Sequence, residues 1–224
     1  MKKKICVIGA GLGGLSAAIR LANKGFEVDL YEQNSTPGGK AGEIKEMGYR
    51  FDTGPSLLTM PQVIKDLFSE CGENIDDYLS INRLELICKY FYPDGSIINA
   101  YSDQDKFGKE IDEKTSDNSA SLDKYLTYCK TIYELVGDLF LTNDPSSIST
   151  YLNSRALKTL LNVGKIDLFR TINEANESFF KDQRLVQLFN RYATYNGSNP
   201  YLAPATLNII PHVEYNQGSF IPVG

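Results

Sequence analysis

An α/β fold is predicted by three features of this chain. A short apolar run at its start ends in glycine, the glycines that follow have the spacing G-x-G-x-x-G, and a helix, a second strand and an acidic residue come next in order. Residues 1–80 are expected to form this dinucleotide-binding segment. Residues 81–224 are expected to form part of a mixed α+β substrate-binding domain, entered through a β-hairpin.

The first strand is Lys4–Ile8, a β-branched run suited to a buried parallel strand, and Gly9 ends it where a tight turn is needed. Gly9, Gly11 and Gly14 carry the spacing, with Ala10 and Gly13 inside the same loop. The first glycine permits the turn and the second lets backbone approach a pyrophosphate. The third, lacking a Cβ, lets the following helix lie close to the strand. A phosphate would then sit on the NH groups of the helix N-terminus. Leu15, Ala18, Leu21 and Ala22 recur at helical spacing as a face for the sheet, and Lys24 and Gly25 supply the stop. Val28, Leu30 and Tyr31 mark the second strand. Glu32 at its carboxyl end can accept hydrogen bonds from ribose hydroxyls and would repel a 2′-phosphate.

NAD and FAD share this Rossmann-like fingerprint, so it leaves the cofactor open. Gly38, Gly39 and Lys40 follow, a pair that can run backbone against a ligand and a cation to offer it. The same residues would also serve as an ordinary turn with a solvated lysine.

The stretches "NSTPGGKAGEIKEMGYRFDTGPSLLTMP", "RLELICKYFYPDGSIINAY" and "LFNRYATYNGSNPYLAPATLNIIPHVEY" resemble the FAD-dependent carotenoid desaturase family of the phytoene desaturase type, and within it the hydroxycarotenoid desaturase branch. The resemblance covers most of the chain. It implies FAD as cofactor, a lipophilic polyene such as phytoene as substrate, and dehydrogenation with hydride passing to the flavin. By position it implies that Gly9, Ala10, Gly11, Gly13 and Gly14 face the pyrophosphate loop, that Glu32 meets the ribose, and that Gly38, Gly39 and Lys40 touch the cofactor. Gly54, Pro55 and Ser56 would lie near the flavin ring. Without the resemblance, that last turn reads as a strand-to-helix connection, with Ser56 capping a helix near Pro61. The Gly-Gly-Lys doublet also occurs in flavin amine oxidases, which keeps an amine oxidase-like oxidoreductase as an alternative beside an inactive nucleotide-binding fragment.

Pro61–Phe68 reads as a helix with Val63, Ile64, Leu67 and Phe68 on one face. "LELICKYFYPDGSIINAYS" alternates around Pro93-Asp94-Gly95, a hairpin signal. Residues 103–121 are charged and read as a solvated helix and then a loop. From Leu122 to Leu141 the positions Tyr125, Leu126, Cys129, Ile132, Tyr133, Val136 and Phe140 form a core face. Leu157, Leu160, Leu161, Leu168, Phe169, Phe179 and Phe180, on further amphipathic helices, are expected to pack inside, with a lipid cavity or membrane surface as the other uses.

Composition narrows the partners. Lys plus Arg number 23 against 28 Asp plus Glu, a net charge of -5, which offers no basic excess to a nucleic acid. The four cysteines lie far apart without a CxxC pair and read as buried, reduced thiols of a cytosolic protein, and no metal site is expected. His212, the single histidine, precedes a strand-like "VEY" and reads as structural. No catalytic residue stands out, which fits chemistry carried by a flavin. No apolar run reaches the ~18 residues needed to cross a bilayer. The cysteines point to the cytoplasm, and the resemblance implies a peripheral place on the inner face of the membrane. Two strands of a doubly wound sheet are too few, so the chain is expected to be an amino-terminal piece of an incomplete flavoprotein fold.

Overall fold

The computed structural model describes residues 3–141 and 162–223, with the side chains of 138–140 excepted. The chain divides into two compact units, Met1–Arg83 with Phe220–Gly224, and Leu84–Ser219.

The first unit opens with β1 (Lys4–Ile8), α1 (Leu12–Asn23) and β2 (Glu27–Tyr31). The two strands pair in parallel, from Lys4 opposite Glu27 to Ile8 opposite Tyr31. At the end of α1, Gly25 NH bonds the carbonyl of Ala22 at 2.9 Å and Phe26 NH that of Leu21 at 3.2 Å. This paired closure is what a glycine just past the last turn allows, and it turns the chain back into β2. Leu15, Ala18 and Leu21 are half-buried on the strands, whereas Ala22 is exposed. The expectation of a buried β1 is corrected: its residues alternate between exposed and half-buried. Among the described residues β2 is its one strand neighbour, and α1 packs against it.

A hairpin in this unit, β3 (Glu43–Glu46) with β4 (Tyr49–Asp52), escapes the sequence reading. Its two-residue turn, Met47-Gly48, has φ of 49° and 83°, the mirror-image geometry that matches strand twist. Methionine is an unusual occupant of such a position, so the usual signal is missing. Next comes α2 (Gln62–Glu70), with Ile64, Leu67 and Phe68 half-buried and Val63 exposed. Pro61 stands at its N-cap without a side-chain capping bond, so Ser56 does not cap it. Glu70 ties α2 to α1: it accepts from Arg20 Nε at 2.7 Å, and its carbonyl accepts from Asn23 Nδ2 at 2.8 Å. The unit closes with β5 (Ser80–Arg83).

The second unit begins with the expected hairpin. Strands β6 (Leu86–Phe91) and β7 (Ile97–Tyr101) pair antiparallel around the Pro93-Asp94-Gly95 turn, where Gly95 NH bonds Tyr92 O at 3.0 Å. Asp103 caps α3 (Gln104–Lys114) by accepting from Lys106 NH at 2.8 Å. The solvated helix expected here has a core face instead, since Phe107, Gly108, Glu110 and Ile111 are buried. The loop expected to follow is short, because α4 (Ser119–Leu141) has already begun at Ser119. Along α4 the side chains of Leu122, Tyr125, Leu126, Cys129, Ile132 and Val136 are all buried.

Thr171 and Glu174 form a reciprocal capping box at the start of α5 (Ile172–Phe179), and Asp182 caps α6 (Gln183–Asn190). Aromatic rings fill the space between these helices: Tyr125 lies 4.4 Å from Phe189, and Phe180 stacks on Phe189 at 4.8 Å. A chain of asparagines runs through the same core, Asn176 to Asn190 at 2.9 Å and Asn190 to Asn173 at 2.7 Å. Each amide supplies what the next requires, so these buried polar groups are not left unpaired.

Several expectations are corrected in this unit. Leu168 and Phe169 do not pack inside; Phe169 is 95% exposed. Phe180 is buried and Phe179 half-buried, while Leu157, Leu160 and Leu161, like the side chain of Phe140, lie outside the described residues. The strand-like "VEY" is a π-helical turn, His212–Gln217. His212 is buried there, with its ring 4.5 Å from that of Tyr133 and its Nδ1 2.6 Å from Asn216 Nδ2. The cysteines are free, but of the four Cys129 alone is buried and Cys6 is exposed.

The final strand, β8 (Phe220–Val223), pairs antiparallel with β5 and so belongs to the first unit, not to the 81–224 segment assigned to it above. Its first residue also exchanges two backbone bonds of 2.8 Å with Leu58. No helix among the described residues is long and apolar enough to cross a membrane.

Candidate nucleotide-binding site

The site is built at the carboxyl ends of β1 and β2. Gly9 leaves β1 with φ of 95°, a conformation an L side chain rarely adopts, and its NH bonds the carbonyl of Tyr31 at 2.7 Å. Gly11 stands at the N-cap of α1, which has no side-chain cap and no acidic residue in its first turn. That end of a 12-residue helix therefore presents NH groups and a positive dipole end without a neutralising side chain of its own. Gly14 passes so close to the strand that an added Cβ would lie 1.8 Å from Gly9 O.

A second layer of backbone rests on this loop. Gly38 NH bonds Ala10 O at 2.7 Å, and Gly38 pairs with Gly11 in an isolated parallel bridge. Gly39, at φ of 60°, approaches so closely that a Cβ on it would sit 3.0 Å from Gly11 Cα. Lys40 is exposed, and its carbonyl would lie 1.7 Å from a Cβ on Gly54. Three backbone segments, residues 9–14, 38–40 and 54, thus pack one on another, and only glycine makes the approaches possible. Pro55 and Ser56 are exposed beyond the last of them. Gly13 is exposed on the first turn of α1.

Glu32 follows β2 directly. Its Oε2 accepts from the NH of Ala10 at 2.7 Å, and its Oε1 accepts from both the NH and the Nδ2 of Asn34, each at 2.9 Å. The Asn34 and Ala10 backbone donors hold its carboxyl below the usual carboxylate range, so it is ionised at neutral pH. Sequence reasoning assigns Glu32 to the ribose and misses its grip on the glycine loop. It misses Asn34 altogether, because a polar residue two positions past a strand end reads as turn chemistry.

Residues 7–71 match the family model described as NAD(P)-binding Rossmann-like domain. The chain is 38% identical over 222 residues to the 1-hydroxycarotenoid 3,4-desaturase of Flavobacterium sp. (strain P99-3), covering 99% of this chain and 45% of that protein. It is similar to carotenoid desaturases and oxygenases along nearly its whole length. Among those relatives, 4,4'-diapolycopene oxygenase of Methylomonas sp is 36% identical over 217 residues, covering 96% of this chain and 43% of that protein. The 4,4'-diaponeurosporene oxygenase of Staphylococcus haemolyticus (strain JCSC1435) is 35% identical, with 97% and 43% covered. The chain therefore spans a little under half the length of the carotenoid-acting relatives it matches. Two solved structures share its fold. A putrescine oxidase bound to putrescine gives a TM-score of 0.59 at 12% identity, covering 100% of this chain and 46% of that one. Cyclohexylamine oxidase from Brevibacterium oxydans IH-35A gives 0.53 at 17%, covering 97% and 43%.

In the second unit, the stretch "RYATYNGSNPY" places Arg191, Tyr192 and Tyr195 around the buried carboxylate of Glu214. Tyr192 OH donates to Glu214 Oε2 at 2.6 Å, Tyr195 OH donates to Oε1, and Arg191 Nη2 stands 3.5 Å from Oε2. Arg191 also donates from Nε to Tyr90 OH at 2.7 Å and lies 4.5 Å over the Tyr192 ring. Burial pushes the Glu214 carboxyl up, while Tyr192 and Arg191 pull it down. No group of three or more metal-ligating side chains comes together among the described residues.

Proposed function

We propose that this protein is an FAD-dependent oxidoreductase of carotenoid biosynthesis that desaturates a lipophilic polyene precursor such as phytoene. The observation that carries the reading is the 38% identity to a 1-hydroxycarotenoid 3,4-desaturase along 99% of the chain. The geometry fits the cofactor. An uncapped helix start, a layer of glycine backbone and an ionised carboxylate at the end of β2 match a pyrophosphate and a ribose in turn. In this reading Gly9, Ala10, Gly11, Gly13 and Gly14 face the pyrophosphate and Glu32 holds the ribose. Gly38, Gly39, Lys40, Gly54, Pro55 and Ser56 border the remainder. Bound flavin supplies a hydride acceptor for carbon–carbon dehydrogenation. The chain's own residues supply the grip, and the ionised carboxylate of Glu32 favours an adenosine without a 2′-phosphate.

A polyene dissolves in the bilayer, so the protein works at the cytoplasmic membrane surface as a peripheral enzyme. Exposed Phe169, Leu168 and Leu202 in the second unit support apolar contact of this kind.

Expression of the full-length gene in cells that accumulate a colourless polyene precursor tests the activity. Coloured, more unsaturated products are expected, and an unchanged pigment profile with soluble, flavin-loaded protein would count against desaturation. For the site itself, Glu32→Ala should weaken FAD binding roughly five- to a hundredfold in a fluorescence titration, the range for leaving polar partners unpaired. Unaltered affinity would remove Glu32 from the cofactor site.

A further inference from the structure

Glu32 has fewer acceptor positions left than a ribose asks for. A carboxylate offers about four lone-pair positions. Three are occupied by the protein itself: Asn34 NH and Asn34 Nδ2 both bond Oε1, and Ala10 NH bonds Oε2. By hydrogen-bond geometry among the described residues one position remains, on the oxygen that also holds the glycine loop, and the Gln33 NH adds only a weaker pull on the carboxylate. The vicinal hydroxyls of a ribose need two for a paired grip, so one existing bond must give way.

The three bonds are not equally able to yield. Ala10 is 2% exposed, and its carbonyl carries Gly38, so releasing its NH would strand a buried donor and loosen the loop the phosphates use. Asn34 NH belongs to the backbone turn that follows β2 and moves only with it. The Asn34 side chain is exposed and can rotate out to water at little cost.

We infer that the Asn34 amide competes with the ribose of a bound adenosine nucleotide for Glu32 Oε1, making Asn34 a residue that sets nucleotide affinity by occupying the sugar's place. This rests on the reading that Glu32 holds a ribose. The competition has a chemical signature. A sugar lacking the 2′-hydroxyl asks for one acceptor position, which is already free, and so does not need the Asn34 amide to leave.

The test is calorimetric titration of the intact protein, stripped of cofactor, with ADP and with 2′-deoxy-ADP. Asn34→Ala keeps the backbone NH and deletes only the competing amide of an exposed residue, so the fold is preserved. The variant is expected to bind ADP roughly two- to tenfold more tightly than the parent, the worth of one net hydrogen bond. Its affinity for 2′-deoxy-ADP should not change. Unaltered or weaker ADP binding, or an equal gain for both ligands, overturns the competition. Glu32→Ala separates the two claims. If it binds ADP as well as the parent, the ribose reading of Glu32 fails. If it binds more weakly while Asn34→Ala changes nothing, the competition alone fails.

Discussion

Gly14→Ala is expected to destabilise the nucleotide-binding unit by about 3 kcal/mol or more, visible as a lowered denaturation midpoint and as rapid proteolysis within residues 3–83. The methyl group would be placed 1.8 Å from Gly9 O and 3.0 Å from Gly9 C. Both are backbone atoms, so no side chain can swing aside. The helix would have to move off β1, or Gly9 would have to surrender its bond to Tyr31 O. Alanine is otherwise the better helix former by about 1 kcal/mol, so the sign of the effect is diagnostic. A variant as stable as the parent would mean that α1 does not lie this close to the strand.

The second large effect is expected in the other unit. Glu214→Ala should cost about 3 kcal/mol in chemical denaturation of the intact protein, with loss of the tyrosine near-ultraviolet signal. Glu214 is fully buried and satisfies Tyr192, Tyr195 and Arg191 together. Its removal leaves two phenols and a guanidinium without their acceptor. The estimate sits at the lower end for a broken buried pair because the Arg191 side chain keeps 31% of its exposure and can draw on water. Glu214→Gln retains an acceptor for the phenols and should cost less. A change within about 0.5 kcal/mol for the alanine variant would show that this carboxylate does not organise the π-helical turn.

What the sequence reveals and what it conceals divide along the range of the interactions. The bounds of β1, the stop of α1, the position of Glu32 and the β6–β7 hairpin are written in local spacing and turn residues, and the structure agrees with them, although α1 already begins at Leu12, before the third glycine. The core face of α4 is legible for the same reason, because a 3.6-residue period is a local property. The β5–β8 pairing joins residues about 140 apart in sequence, and neither strand carries a mark of its partner. "VEY" looks like a strand by composition, but Glu214 turns inward to an arginine and two tyrosines about twenty residues earlier, and the backbone bulges into a π-helix to bring it there. In α3 the charged composition conceals Glu110, which is buried because it accepts from Asn99 and pairs with Lys114.

At the site, residue types are legible but reasons are not. The same fingerprint contains glycines with different causes. Gly9 has its positive φ, Gly14 its contact with Gly9, and Gly39 both a positive φ and its approach to Gly11. Each of these is required by the protein's own packing and would be needed whether or not a nucleotide binds. Gly11 and Gly13 have no such requirement. A Cβ on Gly11 would meet nothing nearer than Gly39 Cα at 3.9 Å, an ordinary contact, and one on Gly13 would meet nothing within 4 Å. Their φ values are not among the strained ones. Nothing among the described residues requires bare backbone at Gly11, and Gly11 is where the proposed reading puts the diphosphate.

That distinction supplies the most direct measurement. Gly11→Ala in the intact protein should leave the unfolding free energy within about 0.5 kcal/mol of the parent, since among the described residues the new methyl would meet nothing nearer than Gly39 Cα at 3.9 Å. It should also lower FAD affinity by at least tenfold in a fluorescence titration, since the methyl stands between the backbone and the diphosphate. Full affinity in a stable Gly11→Ala protein would contradict the account, because the cofactor would then lie somewhere other than on the loop between β1 and α1.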